Sequence, residues 1–252
     1  MFLRFRRKIL IFFIVLSLIC ASLCVTVGVS RRVRGGVFVP RYRAPEYSDG
    51  HYYEDNIFYQ SGYGIPNCTA YAWGRVYELL GEKPRLCTGD ARDWFEYNKN
   101  TGEYPYGDEA RLGAIACFDN EAGGHVAVVE AIDDGVITLS NSAYRGAEFY
   151  LTTADIGSLN PGQEGWDFQG YIYPAEFESR KIILNSPRRI SADVGLNLRA
   201  FPSMSAEVLD VLPENTRVYV SELCESEGCF WARTSYGGVS GYCAVEYTES
   251  VL

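Results

Sequence analysis

The sequence predicts an α+β domain followed by a small β-barrel. Helical periodicity is confined to residues before about 100, and strand-like runs occupy 112 to 174. After Ser186 the texture changes to short β runs divided by turns. Helices first and strands afterwards suit helices packed on an antiparallel sheet.

The first element has a different character. Ile9 to Val29 is a run of 21 almost unbroken apolar or small residues behind Arg4, Arg6, Arg7 and Lys8. About 20 such residues span a hydrocarbon core. The run is long for a signal-peptide core, no clean small-x-small cleavage site follows it, and Cys20 and Cys24 each follow a bulky residue, which argues against lipidation. Residues 1–30 are therefore expected to form an uncleaved membrane anchor, with a cleaved signal as the alternative. The basic leader puts the remainder outside the membrane.

Charge divides the chain at the same place. Residues 1–43 hold nine of the 23 Lys/Arg and no acid, leaving 14 basic against 32 acidic residues, a net charge of −18. Such a body repels nucleic acid, which is excluded as a partner. Residues 31–56, rich in Arg, Tyr, Gly and Pro without period, read as a stalk.

A helix is expected over NCTAYAWGRVYELLG, with Asn67 as N-cap and Gly81 as stop. Gly74 in its middle costs about 1 kcal/mol relative to Ala, so another backbone should pack closely there. A second helix surrounds ARDWFEYN. Strands follow at Leu112 to Phe118, His125 to Ile132, Val136 to Asn141 and Gln169 to Pro174. Residues 57–176 make the first domain, 177–187 a linker, and 188–252 the β-barrel. Cys224 and Cys229 bracket ESEG, where a hairpin disulfide is plausible, and Cys87 with Cys117 is another pairing. Zinc is not expected, because C-x4-C lacks a second ligand pair and the chain has two histidines.

Cys68 stands at the first position of the first helix. There the dipole and free N–H groups favour a thiolate and can hold an oxyanion. Of the two histidines, His51 lies in the irregular stalk. His125 follows Gly123-Gly124 at a strand start, where a loop can deliver it. Asp133-Asp134-Gly135 marks a hairpin. A three-residue loop would set Asn141 opposite Ala127, on the face of His125; a two-residue loop would present Ser140 or Ser142 instead. The first register gives a nucleophile, a base and an orienter: Cys68, His125, Asn141. Asn67, Tyr71 and Trp73 are candidates for oxyanion or substrate contacts, with capping and core packing as their competing roles. No G-x-S-x-G elbow supports a serine hydrolase.

The runs NCTAYAWGR, LGAIACF, GGHVAVVEAI, VITLSNSAY and QGYIYP resemble, in that order, the CHAP family of papain-like cysteine amidases and endopeptidases that hydrolyse peptidoglycan. The resemblance covers about residues 57–176. It implies Cys68 as nucleophile, His125 as base and Asn141 at the polar third position, with peptidoglycan as substrate. Some members bind calcium through an aspartate-rich loop before the cysteine. Here YQSGYGIPN carries no carboxylate, so no metal or other cofactor is expected. The segment GLNLRAFPS…GYCAVEYT is similar to the bacterial SH3-like domain, which implies wall binding. The rival readings are a non-catalytic wall-binding scaffold and an acyltransferase using the same thioester. Composition says nothing of oligomeric state.

Overall fold

The computed structural model describes residues 34–120, 123–133, 135–158, 165–179 and 182–251. The apolar segment Ile9 to Val29, expected as an anchor, lies outside them. Among the described residues no helix is long and apolar enough to cross a membrane.

The elements in chain order begin with β1 (Arg34–Phe38), α1 (Ile57–Gln60), α2 (Cys68–Leu80) and α3 (Trp94–Thr101), the last preceded by a 3-10 turn at Ala91–Asp93. A sheet follows from β2 (Tyr106–Gly107), β3 (Ile115–Asp119), β4 (His125–Asp133), β5 (Val136–Asn141), β6 (Tyr150–Asp155) and β7 (Asp167–Ile172). Then come β8 (Glu176–Ser179), β9 (Ile182–Ile190), β10 (Leu196–Arg199), β11 (Val208–Leu212), β12 (Arg217–Ser226), β13 (Cys229–Tyr236), β14 (Val239–Ala244) and β15 (Thr248–Ser250). Helices then antiparallel strands is the α+β order expected.

The first sheet is antiparallel throughout, in the order β2-β7-β3-β4-β5-β6. Alternation along β4 sends Val126 and Val128 toward the helices, where they join Trp73, Val76 and Trp94. Ala127 and Val129 point to the other face with Phe118, Leu139 and Tyr171. β4 is thus buried on both sides, which leaves little freedom in how it can be registered.

α2 starts and stops where its caps dictate. The Asn67 Oδ1 accepts from the Thr69 N–H at 3.1 Å, and Gly81 ends the helix in the left-handed conformation at φ 69°. Cys68 to Val76 are all buried, so the helix is covered on more than one face. The outer cover is the segment expected as a stalk. Phe38, Tyr42 and Tyr52 are buried, β1 pairs in parallel with β8, and Asn56 caps α1 while its Nδ2 donates to Ala70 O at 2.9 Å. The stalk expectation is therefore corrected. This segment is held by single buried rings and ion pairs, which leave no periodic trace in sequence. Gly74 lies beneath it: a Cβ there would sit 2.9 Å from His51 O and 2.7 Å from the Tyr52 ring.

The second sheet runs β11-β10-β14-β13-β12-β9-β15 over a core of Ile190, Leu198, Leu212, Val220, Ala232 and Cys243. These short antiparallel strands are the small β domain expected; no ladder joins β11 to β15 among the described residues, so its sheet stays open at that edge. Residues 177–187, expected as a linker, take up most of β8 and the first six residues of β9. Pro187, which reads as a breaker, lies one residue beyond the pairing of Arg188 with Ser250, so β15 does not require its missing N–H. Cys87 and Cys117, offered as a pair, are both free thiols. Across the β12–β13 hairpin Cys224 faces Trp231 and Cys229 faces Ser226, so the two cysteines are not opposed.

Candidate active site

Capping and burial place Cys68. Asn67 spends its whole side chain on the helix start, accepting from the Thr69 N–H and hydroxyl and donating to Tyr63 O at 2.9 Å. Its backbone N–H donates to Ser142 Oγ at 3.0 Å, tying the start of α2 to the residue after β5. The sulfur is faced by the amides of Thr69, of Cys68 itself and of Val126, the residue after His125. Burial nevertheless pushes the thiol pKa up, and those amide hydrogen bonds only partly offset it. The resting group is a thiol, contrary to the thiolate expected from helix position alone.

His125 is delivered by a loop pressed against the 3-10 turn. Gly124 adopts φ 78°, and a Cβ there would lie 2.4 Å from the Arg92 nitrogen, so only glycine fits. Gly123 O accepts from the Arg92 N–H at 3.0 Å, and Asn120 Oδ1 accepts from the Gly124 N–H at 3.1 Å. The ring is 5 % exposed, with Trp166 at 5.7 Å and Phe118 at 6.2 Å between centroids. Burial lowers its pKa below the ordinary imidazole value, and the bond to Asn141 pulls the other way.

That bond joins His125 Nε2 and Asn141 Oδ1 at 3.0 Å. The Asn141 amide nitrogen donates to Leu139 O at 3.0 Å and to Thr152 Oγ1 at 3.1 Å, so its carbonyl is the end left for the ring. The neutral imidazole then carries its proton on Nε2 and a lone pair on Nδ1. Thr152 belongs to β6, a strand absent from the sequence reading, and went unnoticed for that reason.

The register that brings Asn141 to His125 arises differently from the expected three-residue loop. Asp133 pairs with Val136, leaving two residues in the turn, the parity that alone would turn Asn141 away. A bulge between Val129 and Ala131 adds one residue to β4, after which Val129 pairs with Leu139 and Val128 with Ser140. Continued one step, that ladder sets Asn141 opposite Ala127. The buried alternation of Val129 and Leu139 demands the shift.

In front of Cys68 lies a cleft of about 460 Å³, whose lining includes Tyr63, Asn67, Asp90, Gly124 and Tyr144. Tyr71 and Trp73, candidates for substrate contact, are 0 % and 1 % exposed and lie in the core, beyond reach of anything in the cleft. They are helix residues about one and one and a half turns in, on faces covered by Tyr52 and by the sheet. His51 is apart from the site, paired with Asp49 at 2.7 Å. Among the described residues no cluster of three or more His, Cys, Asp or Glu could hold a metal.

Comparison with known families adds a second line of observation. The model of the CHAP domain matches residues 58–143, and that of the bacterial SH3 domain matches residues 194–249. A search of curated proteins finds no match. Among solved structures, the crystal structure of Ly7917 is 18% identical, covers 74% of this chain and 89% of its own, and gives a TM-score of 0.33. Its complex with the hydrolysing product of MDP gives the same identity and TM-score over 72% of this chain and 84% of its own. NlpC2 from Trichomonas vaginalis is 10% identical at a TM-score of 0.23, covering 57% of this chain and 46% of its own.

Proposed function

We propose, from the premise that residues 58–143 belong to the CHAP family of peptidoglycan hydrolases and residues 194–249 to the bacterial SH3 domains, that this chain cuts an amide bond of the wall stem peptide through a thioester on Cys68. The observation that carries the reading is the pinned Asn141 carbonyl on His125 Nε2, beside a cysteine at a helix start. It leaves Nδ1 as the ring atom able to take a proton.

Thiol and imidazole are both neutral at rest, so the proton moves at the moment of attack. His125 Nδ1 accepts it as the Cys68 sulfur bonds to the carbonyl carbon. Amide N–H groups at the start of α2, that of Cys68 among them, receive the developing oxyanion. The C–N bond then breaks, and the imidazolium gives its proton to the leaving amine. In the second half His125 takes a proton from water, the hydroxide attacks the thioester, and thiol and free carboxylic acid result.

The SH3 module holds the protein on the wall, and its work is extracytoplasmic. Tethering through Ile9 to Val29 is part of the same proposal. Cleavage within the stem peptide is preferred over the bond between muramic acid and L-alanine. Digesting purified peptidoglycan with the full-length protein and identifying products by mass spectrometry tests this. New amino termini inside stem peptides mark an endopeptidase; lactyl ends with freed L-alanine termini mark an amidase. If wild type and Cys68→Ala both bind the wall and leave it unchanged, the scaffold reading replaces the enzyme.

A further inference from the structure

An acidic residue with no signal in sequence pattern lies at the bulge of β4. Glu130 is that extra residue, 1 % exposed, and its carboxylate collects groups from three separate parts of the chain. From α2, Arg75 donates through Nε to Oε1 at 2.9 Å and through Nη2 to Oε2 at 2.8 Å. From β5, Ser140 Oγ donates to Oε1 at 2.7 Å. From the N-terminal segment, the Arg41 backbone N–H donates to Oε2 at 2.7 Å. A second carboxylate supports the first: Glu78 accepts from Arg75 Nη1 at 2.8 Å, from Arg41 Nη2 at 2.6 Å and from the Tyr52 hydroxyl at 2.6 Å.

The members stand at informative places. Arg75 is two turns along α2 from Cys68, Ser140 is the neighbour of Asn141, and Glu130 is five residues along β4 from His125. One carboxylate therefore links the nucleophile's helix to the strand of the base and the strand of its orienter. Burial of so many charges contributes little net stability compared with apolar packing. Directional bonds, however, fix distances that apolar contact leaves adjustable.

We propose that Glu130, clamped by Arg75 and bonded to Ser140, is a positioning residue that holds the Cys68 helix and the His125–Asn141 hairpin in working register. It touches no substrate and acts through Ser140 and Arg75. Its kinetic consequence rests on the hydrolase reading; its structural consequence does not, and the test separates them.

The readout is the protonation pattern of the His125 ring, followed by ¹⁵N NMR on the full chain. With two histidines, the spectrum has two imidazoles to assign, and His51 with its Asp49 partner serves as internal reference. Wild type shows neutral His125 as one tautomer, protonated at Nε2. Arg75→Met/Glu130→Met replaces the ion pair by apolar groups of similar length, an exchange that buried pairs tolerate. The expected result is a cooperatively melting protein whose His125 populates both tautomers. Its kcat on peptidoglycan falls about 100-fold at unchanged KM, as for a displacement of about 1 Å. Glu130→Gln, whose remaining oxygen still accepts from Ser140 Oγ and Arg75 Nε while the bonds from Arg75 Nη2 and the Arg41 N–H are lost, keeps the single tautomer. Should the double variant not fold, Ser140→Ala removes the β5 arm alone and is expected to mix the tautomers in the same way. The proposal is overturned if the folded double variant, or Ser140→Ala in its place, keeps the wild-type tautomer, whatever its melting temperature. Loss of the tautomer in a protein that never cuts the wall would leave the positioning role standing and remove the hydrolase.

Discussion

The residues proposed to react differ in how much of their behaviour comes from their own position. Cys68 is at a helix start, yet burial outweighs the amides that face it and the thiol stays protonated. His125 is buried too, and its lowered pKa keeps it neutral, which is the form a base needs. Both shifts favour a general-base attack over a preformed ion pair. The pH profile of kcat/KM follows from the sign. In the proposed mechanism the active form is neutral His125, so the rate should fall as pH drops through the His125 pKa, which lies below the ordinary imidazole value. Asn141 stabilises the charged ring, so Asn141→Ala should carry that acid limb to still lower pH. The plateau should drop about 100-fold as the ring loses its orientation. A limb that moved upward in the variant would mean that Asn141 does not bond the charged ring as described.

At the scale of elements, α2 shows what sequence can and cannot convey. Its caps, Asn67 and Gly81, are local chemistry, and both ends were legible. So was the close approach at Gly74, because a mid-helix glycine costs stability unless something occupies the space of the missing methyl. What approaches it was not legible. Tyr52 and the His51 carbonyl come from a stretch with no period, held by contacts far apart in sequence. The hairpin divides in the same way. The strands of β4 and β5 were plain from alternation, and Asn141 was matched to His125. The turn has two residues and the bulge at Glu130 makes up the difference, a compensation that cross-strand burial enforces and that no single strand reveals. β6, with its Thr152, is half exposed and polar, so alternation was too weak to mark it. Gly74→Ala tests the account of α2. On an exposed helix it would add about 1 kcal/mol of stability. Here the methyl meets a carbonyl at 2.9 Å and should cost about 2 kcal/mol net, lowering Tm by roughly 4–8 °C. A raised Tm would show that the segment around Tyr52 yields readily.

At the scale of the molecule, the two sheets meet through the hairpin that carries the candidate site. Asp133 closes β4 at the end opposite His125. Its Oδ1 accepts from Arg233 Nη1 at 3.0 Å and its Oδ2 from the Tyr242 hydroxyl at 3.0 Å, on β13 and β14 of the second sheet. Tyr42 stacks on Phe201 at 5.4 Å, and Arg43 lies 3.8 Å from Glu227, so the N-terminal segment seals the same junction. The described residues accordingly form one compact unit, unlike beads on a linker. Both bonds to Asp133 are part-buried, so their loss is only partly made good by water, unlike that of a surface pair. Asp133→Ala should therefore cost about 2 kcal/mol at the junction, the scale of hydrogen bonds to a charged group, while leaving each core intact. Where the wild-type protein melts in one calorimetric transition, the variant should show two. Its radius of gyration by small-angle scattering should rise as the second sheet swings free. The wall binding proposed for that sheet should persist, because it keeps its own core. A single transition at the wild-type temperature would mean that the apolar contact of Tyr42 and Phe201 carries the junction, and Asp133 only decorates it.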